Sequence, residues 1–209
     1  MTSGLGDILR GLAQGGDPLL VMLAGPNGAG KSTFFKHYLR SEGLPFINAD
    51  SIAAELGAGD PLAIATAATR LANRYRENLL EQKTSFVFET VFSDPVGDKV
   101  EFLRRAQNAG YRVALIFIGL DNAAVSKARV IERVAKGGHD VPDDKLHNRF
   151  PRSLTNLARA LETVDLAMLF DNSKADQPFR HVASFESGEL VAVAELRPGW
   201  LSKIIEPFE

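Results

Sequence analysis

Hydrophobic residues fall in two patterns that alternate along the chain. Short and almost continuous apolar runs predict buried strands at residues 19–24, 44–48, 85–89, 112–120 and 166–170. Longer segments without internal Gly, or with apolar residues at helical spacing, predict helices at residues 3–14, 33–40, 60–82, 95–109, 121–136 and 142–163. This alternation predicts an α/β fold, in which a mostly parallel sheet carries helices on both faces.

Three local features refine this prediction. In the 60–82 helix the core-facing residues are expected to be Ile64, Ala67, Ala68, Leu71, Tyr75 and Leu79. Pro151 is expected to interrupt the last long helix, because the residue before a proline avoids helical geometry. Residues 179–185 and 190–196 flank a short turn and predict a C-terminal β-hairpin. With no repeat or linker in view, residues 1–209 are expected to form a single domain.

A glycine-rich segment follows the first predicted strand. From Gly25 to Ser32 it matches the phosphate-loop pattern G-x-x-x-x-G-K-[ST] at every fixed position, between a strand and a helix. In that setting backbone N–H groups cradle phosphate oxygens, Lys31 reaches the β- and γ-phosphates, and the Ser32 hydroxyl holds Mg²⁺. The sequence therefore predicts a P-loop NTPase-type three-layer fold that binds a nucleoside triphosphate. The predicted nucleotide-binding residues are Gly25, Pro26, Asn27, Gly28, Ala29, Gly30, Lys31, Ser32 and Thr33.

Polar residues stand where other predicted strands end. Asp50, Glu89 with Thr90, and Asp121 should share the rim of the sheet with the phosphate loop, because ligands bind at the carboxyl ends of parallel strands. Asp50 is open to two interpretations, a helix N-cap or the carboxylate that deprotonates an attacking hydroxyl. Asp121 or Asn122 is expected to cap the next helix, with support of Mg²⁺ as the alternative for Asp121.

The most basic part of the chain is residues 127–159. Arg129 and Arg133 are four residues apart and lie on one helical face, while Arg149 is in the following helix. Such a run is either a solvated face or a set of cations that neutralise a transferring phosphoryl group. The Gly-Gly pair at 137–138 between the two helices is consistent with a lid.

Composition narrows the function further. The chain has a net charge of −2 and no cysteine, which gives no general attraction to nucleic acid and excludes thiolate metal sites. Its longest apolar runs are too short to cross a membrane, and the N-terminus carries no secretion signal. We therefore expect a cytoplasmic protein that works without nucleic acid or membrane.

Several segments stand in the order found in one family. Besides the phosphate loop, they are residues 48–50 (Asn-Ala-Asp), 88–90 (Phe-Glu-Thr), 129–133 (Arg-Val-Ile-Glu-Arg), 137–142 (Gly-Gly-His-Asp-Val-Pro), Arg149 with 153–157, and 171–173 (Asp-Asn-Ser). Over about residues 19–173 the chain resembles the zeta toxin-type P-loop kinases, as a short member of the chromosomal type.

The resemblance implies a kinase that uses ATP and Mg²⁺ to phosphorylate a hydroxyl of a nucleotide-sugar such as UDP-N-acetylglucosamine. It further implies a toxin that is paired with a small helical antitoxin. Carried over by position, Lys31 and Ser32 bind ATP and Mg²⁺, Asp50 is the general base, and Glu89, Thr90 and His139 contact the acceptor. Arg129 or Arg133, together with Arg149, would stabilise the γ-phosphate.

Two other functions are compatible with the phosphate loop. A nucleoside or nucleotide kinase of the same fold would share Lys31, Ser32 and the arginines and bind a different acceptor. A partner-regulated ATPase switch is the other alternative. Against it, the sequence contains neither the Leu-Ser-Gly-Gly-Gln signature of ABC proteins nor the Asn-Lys-x-Asp motif of GTPases.

Overall fold

A seven-stranded sheet forms the centre of the computed structural model, which describes residues 4–13, 15–135, 137 and 141–209. The strands are β1 (Leu19–Ala24), β2 (Phe46–Ile47), β3 (Phe86–Thr90), β4 (Arg112–Gly119), β5 (Leu166–Asp171), β6 (Arg180–Glu186) and β7 (Glu189–Val193). Their order in the sheet is β2-β3-β1-β4-β5-β6-β7. The first five are parallel, and β6 and β7 are added antiparallel at the β5 edge.

The α-helices precede, connect and follow the strands. They are α1 (Leu5–Leu12), α2 (Lys31–Phe34), α3 (Ala49–Glu55), α4 (Pro61–Glu81), α5 (Asp98–Asn108), α6 (Ala123–Ala135), α7 (Asp143–Leu161) and α8 (Gly199–Ile205). Helix α2 continues as a π-helical segment, Phe35–Leu39, and a short 3₁₀ turn, Arg40–Glu42. The predicted mostly parallel α/β fold is therefore confirmed, and so is the C-terminal hairpin. In the described ranges, no helix combines the length and the apolar character that a membrane crossing requires.

The sheet separates two hydrophobic clusters. Along β1, Leu20 and Met22 belong to the cluster that α4, α5, α7 and α8 complete, whereas Val21 and Leu23 belong to the one under α1 and α2. Since neighbouring side chains of a strand point to opposite faces, an unbroken apolar strand is what a sheet covered on both sides requires. The rigid sheet places the carboxyl ends of β1, β2 and β3 side by side.

The buried face of α4 differs from the predicted one. Its buried residues are Ala68, Ala72, Arg76 and Leu80, whereas Tyr75 is 53% exposed. The prediction of Tyr75 as a core residue was wrong because it counted only apolar residues. The structure instead buries a cation, Arg76, against aromatic rings.

Helix α7 runs through Pro151 without the predicted interruption. Proline removes one backbone N–H donor from the helix, but side chains near it donate hydrogen bonds to backbone carbonyls of the preceding turn. Arg152 Nε donates to the carbonyl of Asn148 at 2.8 Å, and Ser153 Oγ donates to that of Arg149 at 3.0 Å. Packing of the second half of α7 against the sheet then keeps the helix in one piece.

Two short helices were not predicted. Strand β2 has only two residues, and α3 begins directly after it, with Asn48 as the N-cap whose Oδ1 accepts from the N–H groups of Asp50 and Ser51. The interpretation of Asp50 as an N-cap is therefore wrong. Helix α8 follows the hairpin and buries Trp200, Leu201, Ile204 and Ile205.

Trp200 joins α8 to the end of the sheet. Its ring lies 5.7 Å from that of Phe117, and its Nε1 donates to Asp171 Oδ1 at 3.0 Å. We expect Trp200→Ala to lower the free energy of unfolding by about 3–5 kcal/mol, the usual loss for a large buried aromatic residue. Chemical denaturation measures this value. The exposed Leu196, replaced by Ala, is the control and should change stability by less than about 0.5 kcal/mol.

Candidate active site

The phosphate loop adopts a backbone that two of its glycines make possible. Gly25 has a φ of 144°, and a Cβ placed on it would lie 2.2 Å from the carbonyl oxygen of Ile118. Gly30 has a φ of 90°, caps α2, and leaves 2.8 Å between such a Cβ and Asn172 Nδ2. A side chain at either position would clash with its neighbour and strain the backbone. The loop therefore closes around the start of α2, where N–H groups and the helix dipole favour an anion.

Lys31 is buried at the first position of α2. It is 6% exposed, its Nζ donates to the carbonyl of Pro26 at 3.1 Å, and Nζ lies 3.8 Å from Glu89 Oε1. Burial lowers the pKa of Lys31, and the negative charges of Glu89 and Asp50 oppose that shift. Inside the loop, the ammonium therefore has one hydrogen bond to a carbonyl and one carboxylate at a longer distance. Phosphate oxygens are the partners that this arrangement suits.

Glu89 connects three elements at the end of β3. Its Oε2 accepts a hydrogen bond from Ser32 Oγ and another from Asn48 Nδ2, both at 2.8 Å. Asn48 in turn holds the start of α3, so its amide links the carboxylate to the helix that carries Asp50. The sequence placed Glu89 at the rim but did not reveal that it touches the phosphate loop.

Asp50 lies at the second position of α3 and is accessible to solvent. Its backbone N–H is fixed by Asn48 Oδ1 at 2.7 Å. The side chain lines the same cleft as Lys31 and Glu89, and its charge acts on Lys31. The structure therefore brings Asp50 to the phosphate loop with no hydrogen-bond donor on its carboxylate among the described residues.

Two side chains distant in sequence support the phosphate loop. Asn172, 8% exposed, follows β5; its Nδ2 donates to the carbonyl of Ala29 at 2.9 Å, and its Oδ1 accepts from the N–H of Phe179. Ser126 Oγ of α6 donates to the carbonyl of Asn27 at 2.6 Å. Sequence reasoning assigned neither residue a role, because neither belongs to the local motif.

The three predicted arginines are not equivalent. Arg133 of α6 and Arg149 of α7 line the cleft. Arg129 lies beside the phosphate loop, where a Cβ on Gly28 would be 3.1 Å from its own Cβ, and its Nη2 donates to the carbonyl of Ser173 at 3.3 Å. Arg133 also contributes to the lowered pKa of Lys31. Arg133 and Arg149 thus face the cleft, whereas Arg129 packs against the phosphate loop and binds Ser173.

The remaining predicted residues have different outcomes. Thr90 lines the cleft, and its Oγ1 accepts from the N–H of Phe92, which stabilises the turn after β3. Asp121 is exposed and does not line the cleft. Of the two predicted caps of α6, the structure shows Asn122, whose Oδ1 accepts from the N–H of Val125. His139 lies outside the described residues.

One cleft joins these groups. It has a volume of about 1080 Å³ and extends from the phosphate loop, past α3 and the end of β3, to α4 and α7. Six cationic side chains and three carboxylates of the described residues line it, so its net charge is +3, whereas the whole chain carries −2. This concentration of positive charge favours anionic ligands. The lining cations are Lys31, Arg76, Lys99, Arg133, Lys145 and Arg149.

The donor set beside Lys31 fits Mg²⁺ in nucleotide-bound form. The Ser32 hydroxyl and the Glu89 carboxylate are hard oxygen donors 2.8 Å apart. Throughout the part of the chain that the structure describes, no three His, Cys, Asp or Glu side chains cluster to hold a metal alone. That is expected for Mg²⁺, which usually takes one or two protein ligands together with substrate phosphates and water.

Comparison with known proteins adds a family and a fold. A family model described as an AAA domain matches residues 20–157. An uncharacterized protein of Haemophilus influenzae is 26% identical over 130 residues, which cover 62% of this chain and 91% of that protein.

Two sets of solved structures share the fold. The AvrRxo1-ORF1:AvrRxo1-ORF2 structure with sulphate ions has a TM-score of 0.69 at 20% identity, covering 99% of this chain and 71% of that chain. The structure of the same pair with ATP has a TM-score of 0.63 at 19% identity, with 99% and 68% covered. The PezAT chromosomal toxin–antitoxin system of Streptococcus pneumoniae gives 0.57 at 15% identity, covering 99% and 94%.

Proposed function

We propose that this chain, which belongs to the AAA domain family, is an ATP-dependent kinase that transfers the γ-phosphate to a hydroxyl of a small molecule. The observation that carries the proposal is the shared cleft, in which the phosphate loop, Asp50, Arg133 and Arg149 line one cavity. Phosphoryl transfer needs a cradle for the phosphates, a base for the attacking hydroxyl and cations for the charge on the transferring group. A site for ATP hydrolysis alone does not require a second ligand to fit beside the base.

Each group has a role in this reaction. Lys31 and the backbone N–H groups of the phosphate loop, in which Pro26 has none to donate, bind the β- and γ-phosphates. Asp50 takes the proton of the acceptor hydroxyl. The acceptor oxygen forms a bond to the γ-phosphorus while the bond between the γ-phosphorus and ADP breaks. Arg133 and Arg149 neutralise the charge on the γ-phosphoryl oxygens. Ser32 and Glu89 would hold Mg²⁺, which supplies further charge neutralisation on the phosphates.

For the acceptor we propose a nucleotide-sugar of the UDP-N-acetylglucosamine type, and for the biological role a toxin with a small helical antitoxin. The motifs that resemble zeta toxin-type kinases support both. The fold similarity to a toxin–antitoxin system over 99% of this chain is consistent with an antitoxin partner, and the ATP in one AvrRxo1 structure is consistent with ATP as the phosphate donor.

Phosphate transfer from γ-labelled Mg-ATP to UDP-N-acetylglucosamine tests the proposal. We expect a labelled nucleotide-sugar with the wild-type protein and at least about 100-fold slower labelling with Asp50→Asn. Labelling of another nucleotide or sugar would support the kinase function and replace the proposed acceptor. ATP consumption that labels no small molecule, and that rises when a protein partner or DNA is added, would contradict the kinase and favour an ATPase switch.

A further inference from the structure

A buried arginine forms part of the cleft wall on the side of α4. Arg76 is 7% exposed, and its guanidinium lies over the rings of Phe88 and Phe102 at 4.9 and 5.5 Å. Burial lowers the pKa of Arg76 to about 10, and Glu77 offsets the shift only in part. The rings and Glu77 therefore do not replace the hydration that the charged group has lost.

Most of the hydrogen-bonding capacity of Arg76 is unused within the described chain. Its Nη2 donates to Asn73 Oδ1, and the buried Nε has no hydrogen-bond partner. A guanidinium carries several N–H donors in a planar fork that matches two oxygens of a carboxylate or phosphate. Arg76 and Asn73 both line the cleft, so a ligand there can accept from the Nη groups of the guanidinium, whereas the buried Nε stays without a partner.

Lys99 of α5 lines the same wall. Burial lowers the pKa of Lys99, the positive charge of Arg76 lowers it further, and Asp94 and Asp98 raise it. Arg76 and Lys99 are thus close enough to repel each other, and only Asp94 of the two acids faces the cleft with them. Asp94 Oδ1 is itself buried without a hydrogen-bond partner. An anion between the two cations would relieve their repulsion.

These charges form a group separate from the phosphate loop. Around Lys31 the acting charges are Glu89, Asp50 and Arg133, and none of these acts on Lys99. The phosphates of ATP are matched by Lys31 and the α6–α7 arginines. The cations at the α4 wall therefore remain for a second ligand.

We infer that Arg76 and Lys99 form a subsite for an anionic group, a phosphate or a carboxylate, on the molecule whose hydroxyl receives the γ-phosphate. The substrate class is then a hydroxylated anion: a sugar phosphate, a nucleotide or nucleotide-sugar, or a sugar acid. That the bound molecule is a substrate rests on the proposed kinase function, whereas the binding of an anion at this wall does not.

Anion binding is tested with sulfate, a tetrahedral dianion, on full-length protein saturated with Mg²⁺ and a non-hydrolysable ATP analogue that fills the phosphate loop. We expect titration calorimetry to detect sulfate, and Arg76→Gln to weaken its binding by about 10-fold or more, as for loss of hydrogen bonds to a charged group. Lys99→Gln, which leaves the aromatic packing of Arg76 in place, should weaken it as well. Arg70→Gln, at an exposed position of the same helix, should bind sulfate like the wild type.

A panel of matched acceptors tests the substrate class. Glucose, glucose 6-phosphate and gluconate, and uridine with UMP and UDP-N-acetylglucosamine, are offered with labelled ATP. We expect transfer to anionic members, with the KM of Arg76→Gln and Lys99→Gln for them raised by about 10-fold or more and the KM for ATP within about 3-fold of wild type. Whether phosphate or carboxylate members are preferred identifies the anionic group.

Two results overturn the inference. One is equal sulfate affinity of the wild type and both cleft variants; the other is a neutral acceptor used as well as its anionic counterpart by wild type and variants alike. The second result would leave the proposed kinase function standing. Conversely, if Arg76→Gln abolishes sulfate binding but no acceptor is labelled, the anion subsite is supported and the kinase function is contradicted.

Discussion

Asp50→Asn is expected to lower kcat for phosphate transfer by about 10²–10⁴-fold, the usual contribution of a positioned general base. The substitution keeps the shape of the side chain and removes its ability to take a proton. The amide cannot deprotonate the acceptor hydroxyl, while Asn48 still binds the backbone N–H of residue 50, so α3 keeps its cap. The KM for ATP should remain within about 3-fold of wild type, since ATP contacts the loop and not this base.

Stability separates this result from a folding defect. Loss of one charge at the start of a helix costs about 0.3–1 kcal/mol, which is far too little to unfold the protein. Thermal unfolding should therefore resemble that of the wild type. Glu55→Gln, an exposed position of the same helix outside the cleft, is the matched control and should retain full turnover. Near-normal turnover of Asp50→Asn would show that Asp50 is not the base.

Lys31→Met should reduce kcat/KM by about 10²–10³-fold or more, as for removal of one preorganised electrostatic contact to the reacting group. Methionine has nearly the length of lysine and lacks the charge. Burial already opposes the Lys31 ammonium, as its lowered pKa indicates, so an apolar side chain of similar shape should fit without loss of stability. ATP binding by titration calorimetry and turnover with the labelled-phosphate assay measure the two effects.

A control variant tests whether the effect is specific to Lys31. Lys36→Met removes a lysine from the exposed side of the helical segment that follows the loop, and should leave both measurements unchanged. Turnover of Lys31→Met within about 3-fold of wild type would mean that this lysine does not contact the transferring phosphate.

Local patterns account for the parts of the fold that were predicted correctly. The apolar run of β1 and the phosphate loop after it are contiguous, and their residue types admit few alternatives. The turn between β6 and β7 is another case, since Ser187 and Gly188 both have positive φ, at 49° and 87°, as a two-residue hairpin turn with the right twist requires. In each case neighbouring residues alone define the conformation.

The wrong predictions concern positions where distant contacts outweigh local preference. Pro151 remains helical because the half of α7 that follows it packs against the sheet. Tyr75 is exposed because the sheet meets α4 along the row that contains Arg76. Asn48, and not Asp50, caps α3, and its other amide atom is occupied by Glu89, 41 residues away. A single sequence carries no direct signal for such partnerships.

The phosphate-loop motif and the layered α/β fold could be predicted from the sequence, because both depend on residues that are contiguous or repeat with a short period. The places of carboxylates and arginines after strands and on helices also indicated which of them to consider. Three features follow only from the folded chain: Glu89 contacts Ser32, Arg133 and Arg149 line the cleft beside Asp50, and Arg76 is buried in the cleft wall. These depend on packing between segments far apart in the chain, where the cost of burying a charge and the geometry of the sheet select the partners.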